Sequence, residues 1–287
     1  MQKKKGKYTH DLFVEDALRY VEDNKDNPFY LYLALTIPHL ELTVPEDSKE
    51  PYLNLGWPKQ KMNTEGHYKN DPEGNTTYAG MVSRMDRDVG RLFEKLKALG
   101  IDENTIVFFT SDNGPAYEKE DKFFNSNGAL RGGKRDLYEG GIRVPFIARY
   151  PGKIKAGSVS IHISAFWDFL PTACDLAGIE PTNDDINGIS MLPELTGNPE
   201  KQQKHEFLYW EFNEKQGPIQ AIHKGNWKLV YKLEKQPELY NLANDIGETK
   251  NMVAEHPEKL EELLGLLKNA RTEHSGFPLE IRQLAIE

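Results

Sequence analysis

Four polar positions in this sequence fall where a buried strand gives way to a loop, and their side chains suggest what such loops could do. The run Ile106–Pro115, "IVFFTSDNGP", is apolar through Phe109 and then ends on Asp112, Asn113 and Gly114. A carboxylate beside an amide carbonyl suits a hard cation, calcium or magnesium, although calcium takes about six to eight oxygens and two ligands alone do not make a site. The same three residue types also form tight turns. Lys134 lies in "NGALRGGKRDLYEGG", where Gly128, Gly133 and Lys134 have the spacing of a phosphate-binding loop. Arg135 stands where a Ser or Thr would hold magnesium, and no long helix follows, so the nucleotide reading is rejected. What remains is a glycine-flanked lysine with Arg131 and Arg135 nearby, either an anion pocket or a solvated loop. His39, after "FYLYLALTI", is a proton donor or a packed histidine.

These positions need a scaffold. "THDLFVEDALRYVEDN" places Leu12, Phe13, Ala17, Leu18 and Val21 on one helical face, and "PFYLYLAL" predicts a strand. Residues 43–75 are rich in Pro, Gly, Asn and charge, long enough to be a functional surface loop. A helix is predicted from about Tyr78 to Leu99, capped by Gly100. "TIVFFTSD" and "RVPFIARYPG" predict strands, and "FWDFLPTACDLA" a helix ending at Gly178. Helices alternating with apolar strands predict a mostly parallel sheet, where ligands collect beyond the strands' carboxyl ends. After residue 200 the texture changes. "EFLYWEF", "IQAIHKG", "NWKLVYK" and "ELYNL" predict an antiparallel meander, and "HPEKLEELLGLLKNA" a closing amphipathic helix. The expected boundary divides residues 1–200, an α/β domain, from 201–287, a small antiparallel subdomain.

Composition narrows the partners. With a net charge of -9 the chain is a poor match for nucleic acid, so an anionic substrate must meet local cations. No apolar run reaches the twenty or so residues of a membrane span, and the lysines of "MQKKKGKYTH" are not followed by the apolar stretch of a signal peptide. The single cysteine, Cys174, cannot form an internal disulfide.

Taken in order, "TIPH", "FFTSDNGP", "LRGGKRDLYEGGIRVPFIARYPGKI" and "FWDFLPTACDLAGI" resemble the C-terminal half of the sulfatase family, over most of residues 8–245. The resemblance implies an alkaline-phosphatase-like α/β fold and hydrolysis of sulfate esters. It also implies a formylglycine nucleophile made from Cys or Ser, and a bound calcium, with magnesium less favoured. On this sequence it makes Asp112 and Asn113 metal ligands, Lys134 the lysine that holds the sulfate, and His39 the histidine near the leaving-group oxygen. The implied substrate is a sulfated small molecule or glycan, and the implied location of the parent enzyme is periplasmic or extracellular.

Three departures qualify the match. Glu41 replaces the proline that many members carry two residues after the histidine. The maturation motif, Cys or Ser followed by x-Pro-x-Arg, occurs nowhere, and Cys174 sits in an amphipathic helix as a small apolar side chain. An upstream Asp-Asp pair is missing as well. The expectation is therefore the downstream part of a sulfatase, inactive alone, with an uncovered sheet edge that favours self-association. Two alternatives stay open: a related metal-dependent phosphodiesterase or phosphonate hydrolase, and a non-catalytic module that binds sulfated ligands.

Overall fold

The computed structural model describes residues 6–59, 71–116, 123–182, 185–214, 217–232, 235–275 and 279. They fall into two compact units. One holds residues 6–107, 123 and 149–152; the other holds 108–116, 124–148 and the chain from 153 onward.

In the first unit, helix α1 (Thr9–Asp23), the short α2 (Glu46–Lys49) and the long α3 (Gly74–Ala98) supply most of the structure. The buried face of α1 is His10, Val14, Ala17 and Val21, while Leu12 and Phe13 are exposed. The apolar face expected from the sequence is thus rotated. It moves because His10 turns inward to meet Asp88 of α3, its Nε2 lying 3.0 Å from the carboxylate. Along α3 the buried stripe runs through Met81, Arg84, Asp88 and Leu96, and Gly80 lets the helix pass close to the backbone of Ser48. Gly100 ends it as expected, at φ 72°, with its N–H donating to Lys97 O.

The strand expected at "PFYLYLAL" is not part of a ladder. Burial still alternates with period two: Phe29, Leu31, Leu33 and Leu35 are half-buried, whereas Tyr30, Tyr32 and Ala34 are exposed, Tyr32 to 77%. The segment has a strand's two faces but is not paired with another strand in either sheet of the described residues, and pairing is what makes a strand.

The second unit contains the antiparallel meander predicted after residue 200. Strands β3 (Leu208–Glu214), β4 (Gly217–Lys224), β5 (Trp227–Lys232) and β6 (Glu238–Asn241) pair in that order. Alternate residues feed two cores. Ile219, Ala221, Val230 and Tyr240 pack with Leu137 and Tyr138. Ile222, Leu229, Tyr231 and Leu239 pack with Leu263 and Leu267 of the closing helix α7 (Pro257–Ala270). Upstream, β1 (Val107–Thr110) and β2 (Phe146–Arg149) are neighbours. Between them lies the one-turn helix α4 (Glu139–Ile142), and after them come α5 (Phe169–Ala177), which ends at Gly178 as the sequence predicts, and the one-turn α6 (Leu192–Leu195). Phe108 of β1 stacks on Phe146 of β2 and meets Phe169 of α5 edge-on. Where the sequence predicts a mostly parallel sheet, the described residues hold one two-stranded sheet, β1 beside β2. No helix among those residues is long and apolar enough to cross a membrane.

Candidate active site

The chain leaves β1 at Thr110 and turns at once. Ser111 Oγ donates to Asn113 O (3.1 Å), and Asn113 Nδ2 donates to Gly114 O (2.8 Å). Because the amide nitrogen is spent on the loop's own backbone, the side-chain oxygen Oδ1 is the end left to accept or ligate. Asp112 is exposed, and no hydrogen bond or ion pair engages its carboxylate among the described residues. An exposed carboxylate beside an amide oxygen is a donor set that fits a hard cation such as calcium.

Lys134 is brought to the same place by backbone bonding. Its N–H donates to Pro115 O (2.8 Å), two residues beyond Asn113. Three glycines make this approach close enough. A Cβ on Gly114 would lie 1.8 Å from Gly140 O, one on Gly140 would lie 2.3 Å from Gly132 O, and one on Gly141 would lie 2.1 Å from Asp136 O. None of the three has a positive φ, so glycine is required here for contact and not for conformation. Hydrogen bonds close the clamp: Gly114 N to Gly141 O (2.9 Å) and Gly140 N to Arg131 O (2.7 Å). Asn127 Nδ2 donates to Gly132 O (2.6 Å), and Asp136 Oδ2 accepts from Gly133 N (3.1 Å). The α4 turn is four residues long, which agrees with the rejection of a phosphate-binding loop.

Arg131 corrects one expectation. Its guanidinium does not contribute to an anion pocket but is consumed internally: it donates to Tyr240 Oη (2.6 Å), Glu238 Oε2 (3.2 Å), Glu248 O (2.9 Å) and Tyr138 Oη (3.1 Å), and lies over the Tyr138 ring. Burial and the Glu238 carboxylate push the Tyr138 and Tyr240 phenols well above their ordinary values, so both stay neutral donors.

His39 belongs to the other unit. It is exposed on a turn in which its N–H donates to Thr36 O (2.9 Å), and its Nδ1 is in close contact with Leu40 O. A carbonyl can only accept, so Nδ1 is the donor in this contact. Cys174 is buried in α5, as expected of a small apolar side chain.

One cluster was missed in the sequence. His10, Asp11 and Asp88 offer three potential ligand atoms within 4.8 Å of one another. Their charge is already met by cations of the protein. Arg84 grips both Asp11 oxygens at 2.7 Å, while Arg87 and Arg91 bind Asp88 at 2.9 and 3.0 Å. We read it as a structural ion network. Its sequence signal was Arg84, Asp88 and Arg91 at helical spacing within an apolar stripe.

Comparisons with known proteins decide what family these loops come from. The sulfatase family model matches residues 1–179, and a second model, described as N-sulphoglucosamine sulphohydrolase, C-terminal, matches 132–273. The chain belongs to the sulfatase family. Among curated relatives, a protein named "Sulfatase" from Formosa agariphila is 32% identical over 278 residues, covering 88% of this chain and 47% of that protein. Human N-acetylgalactosamine-6-sulfatase is 32% identical over 186 residues, 64% of this chain and 32% of that one. A crystal structure of Ps i-CgsB in complex with k-i-k-neocarrahexaose superposes with a TM-score of 0.77 at 28% identity, covering 93% of this chain and 56% of that one. This sulfatase chain therefore spans about half the length of the relatives it matches most broadly. The phosphonate monoester hydrolase of Agrobacterium radiobacter shares the fold at TM-score 0.67 and 21% identity. Fold alone thus does not separate sulfate from phosphonate chemistry, whereas the two curated relatives at 32% identity named above carry sulfatase names.

Proposed function

We propose that this chain carries the downstream cation- and sulfate-binding loops of a sulfatase that hydrolyses sulfate esters, with a sulfated glycan as the substrate class. The observation that carries the reading is the backbone bond from Lys134 N–H to Pro115 O, inside a clamp that allows no side chain at three glycines. It holds a cationic side chain and an unpaired carboxylate on adjoining loops, a pairing that suits an anion bound together with its metal. Asp112 and Asn113 would hold calcium, which when bound supplies positive charge to polarise the sulfate oxygens. Lys134 binds and orients the sulfate through charge-assisted hydrogen bonds. His39 is assigned the proton or hydrogen bond to the departing ester oxygen, on the strength of the resemblance. The glycan class is supported by the N-acetylgalactosamine-6-sulfatase name of several relatives.

These 287 residues contain no Cys or Ser followed by x-Pro-x-Arg, so a formylglycine would have to come from outside them. We accordingly propose that the chain alone binds sulfated ligands without multiple turnover. The domain reading of 1–200 and 201–287, and a periplasmic or extracellular location for the parent, belong to the same proposal. The test is titration of the purified chain with N-acetylgalactosamine 6-sulfate in the presence of calcium, beside an aryl sulfate turnover assay. Binding that Lys134→Ala weakens by about tenfold or more supports the assignment. Equal binding by the variant, or sustained turnover by the chain alone, overturns it.

A further inference from the structure

The loop that carries Lys134 is fastened at both ends by one residue far along the chain. Glu248 is fully buried, and its backbone carbonyl accepts from Arg131 Nη1 (2.9 Å). Its carboxylate Oε2 accepts from the N–H of Glu139 (2.7 Å). Arg131 and Glu139 bracket Lys134, so the segment between them is held against the same turn at its entry and at its exit. We propose that Glu248 is a positioning residue, a clip that sets the place of the Lys134 loop and, through Gly140 and Gly141, of the Asp112 loop; this rests on the sulfate-site reading above.

Three features argue for a positioning role beyond simple cohesion. Glu248 sits at φ 51°, a left-handed conformation that a glycine would adopt without strain and a glutamate does not. A side chain kept there at a conformational cost must supply something glycine cannot, and here that is the acceptor for Glu139 N–H. Second, the clip is anchored to the rigid sheet. Lys228 of β5, fully buried, donates from Nζ to Glu139 Oε1 (2.8 Å) and lies 3.0 Å from Glu248 Oε1. Burial pushes the Glu139 carboxyl up, but Lys228 overrides it and leaves it below its ordinary value; for Glu248 burial prevails and the carboxyl is raised. A buried ion cluster of this kind is seldom a net source of stability compared with apolar residues of the same size, so stability does not account for it. Third, the path from the clip to the site has no slack. Glu139 opens the α4 turn, the next residue donates to Arg131 O, and Gly141 O receives the N–H of Gly114 beside Asn113.

The experiment uses the full chain and two variants. Glu248→Gly removes the carboxylate while relieving the backbone, which protects the fold. Glu248→Gln keeps an acceptor of the same shape. Amide hydrogen exchange is followed at Gly114, Lys134 and Gly140, with Ile222 and Leu229 of β4 and β5 as internal references, and inorganic sulfate affinity is titrated in the presence of calcium. The clip predicts faster exchange at the three loop amides in Glu248→Gly, unchanged exchange at the two references, and sulfate binding weakened about tenfold to a hundredfold. Glu248→Gln should recover most of both effects. Exchange that accelerates only within residues 245–250, with loop amides and sulfate affinity unchanged, overturns the proposal. If neither the wild-type chain nor any variant binds sulfate, the sulfate-site reading fails, and loop exchange alone then decides the positioning claim.

Discussion

Adding one methyl group at Gly114 tests the clamp most directly. The new Cβ would lie 1.8 Å from Gly140 O, where even 3.0 Å is closer than real Cβ atoms come, so one backbone must retreat by more than 1 Å. Gly140 has nowhere to go, because its N–H is tied to Arg131 O and its own Cβ position faces Gly132 O at 2.3 Å. The strain therefore falls on the Asp112 loop. Overpacking a tight site costs about 1–3 kcal/mol, and a clash between backbones belongs at the upper end. In a domain of this size that lowers Tm by about 5–10 °C. Displacing Asp112, Asn113 and the Pro115 carbonyl should weaken sulfate binding by at least about tenfold. Gly265→Ala is the matched control: it lies in α7 with nothing within 4 Å of the new atom, and should gain about 0.5–1 kcal/mol from helix propensity. Thermal melts and sulfate titrations of both variants suffice. A Gly114→Ala protein that melts with the wild type and binds sulfate as well would show that the three-glycine contact does not hold these loops.

Calcium should raise Tm only slightly, since two ligands give a Kd near millimolar; at a concentration equal to Kd the gain is about 0.4 kcal/mol. Asp112→Ala should abolish that shift, and an identical calcium response in the variant would count against the metal assignment. His10 is buried, and burial outweighs its Asp88 partner in lowering its pKa, so the neutral form is the folded form. The unfolded chain takes up the proton first, near pH 6.5; the first unit should then lose stability as pH falls below that value, and His10→Gln should flatten this part of the melting profile between about pH 7.5 and 5. An equally steep profile in the variant would place the titration elsewhere. Val159 and Ile161 are 92% and 97% exposed, and the 29–35 segment is unladdered, so light scattering should find association at micromolar concentration. A strictly monomeric protein would refute that argument.

What the sequence revealed and what it concealed follow from the range of the forces involved. The meander after residue 200 was legible because each strand pairs with the next, and alternate residues of β4 and β5 serve two covered faces, Ile219, Ala221 and Val230 on one and Ile222, Leu229 and Tyr231 on the other. Asp112, Asn113 and Lys134 were legible as residue types at loop positions, yet nothing local says that Lys134 N–H finds Pro115 O. The α1 face was misplaced because the helix spends a buried position on His10, whose partner Asp88 is 78 residues away, and a hydrophobic pattern cannot anticipate a polar group bought inward by a distant ion network. The strand at 29–35 shows the converse. Its period-two pattern is intact, but hydrogen bonding is a property of pairs, so pattern alone yields a strand-like segment without a ladder. Arg131 is the sharpest case. Between two glycine-rich stretches it read as part of a cationic spot, and only the return of Glu238, Tyr240 and Glu248 from more than a hundred residues downstream turns its charge inward. The assignment of Lys134 to the sulfate comes from the family resemblance, and the inward turn of Arg131 removes one of its two neighbouring cations from that role while tying the start of the loop to the turn at Glu248.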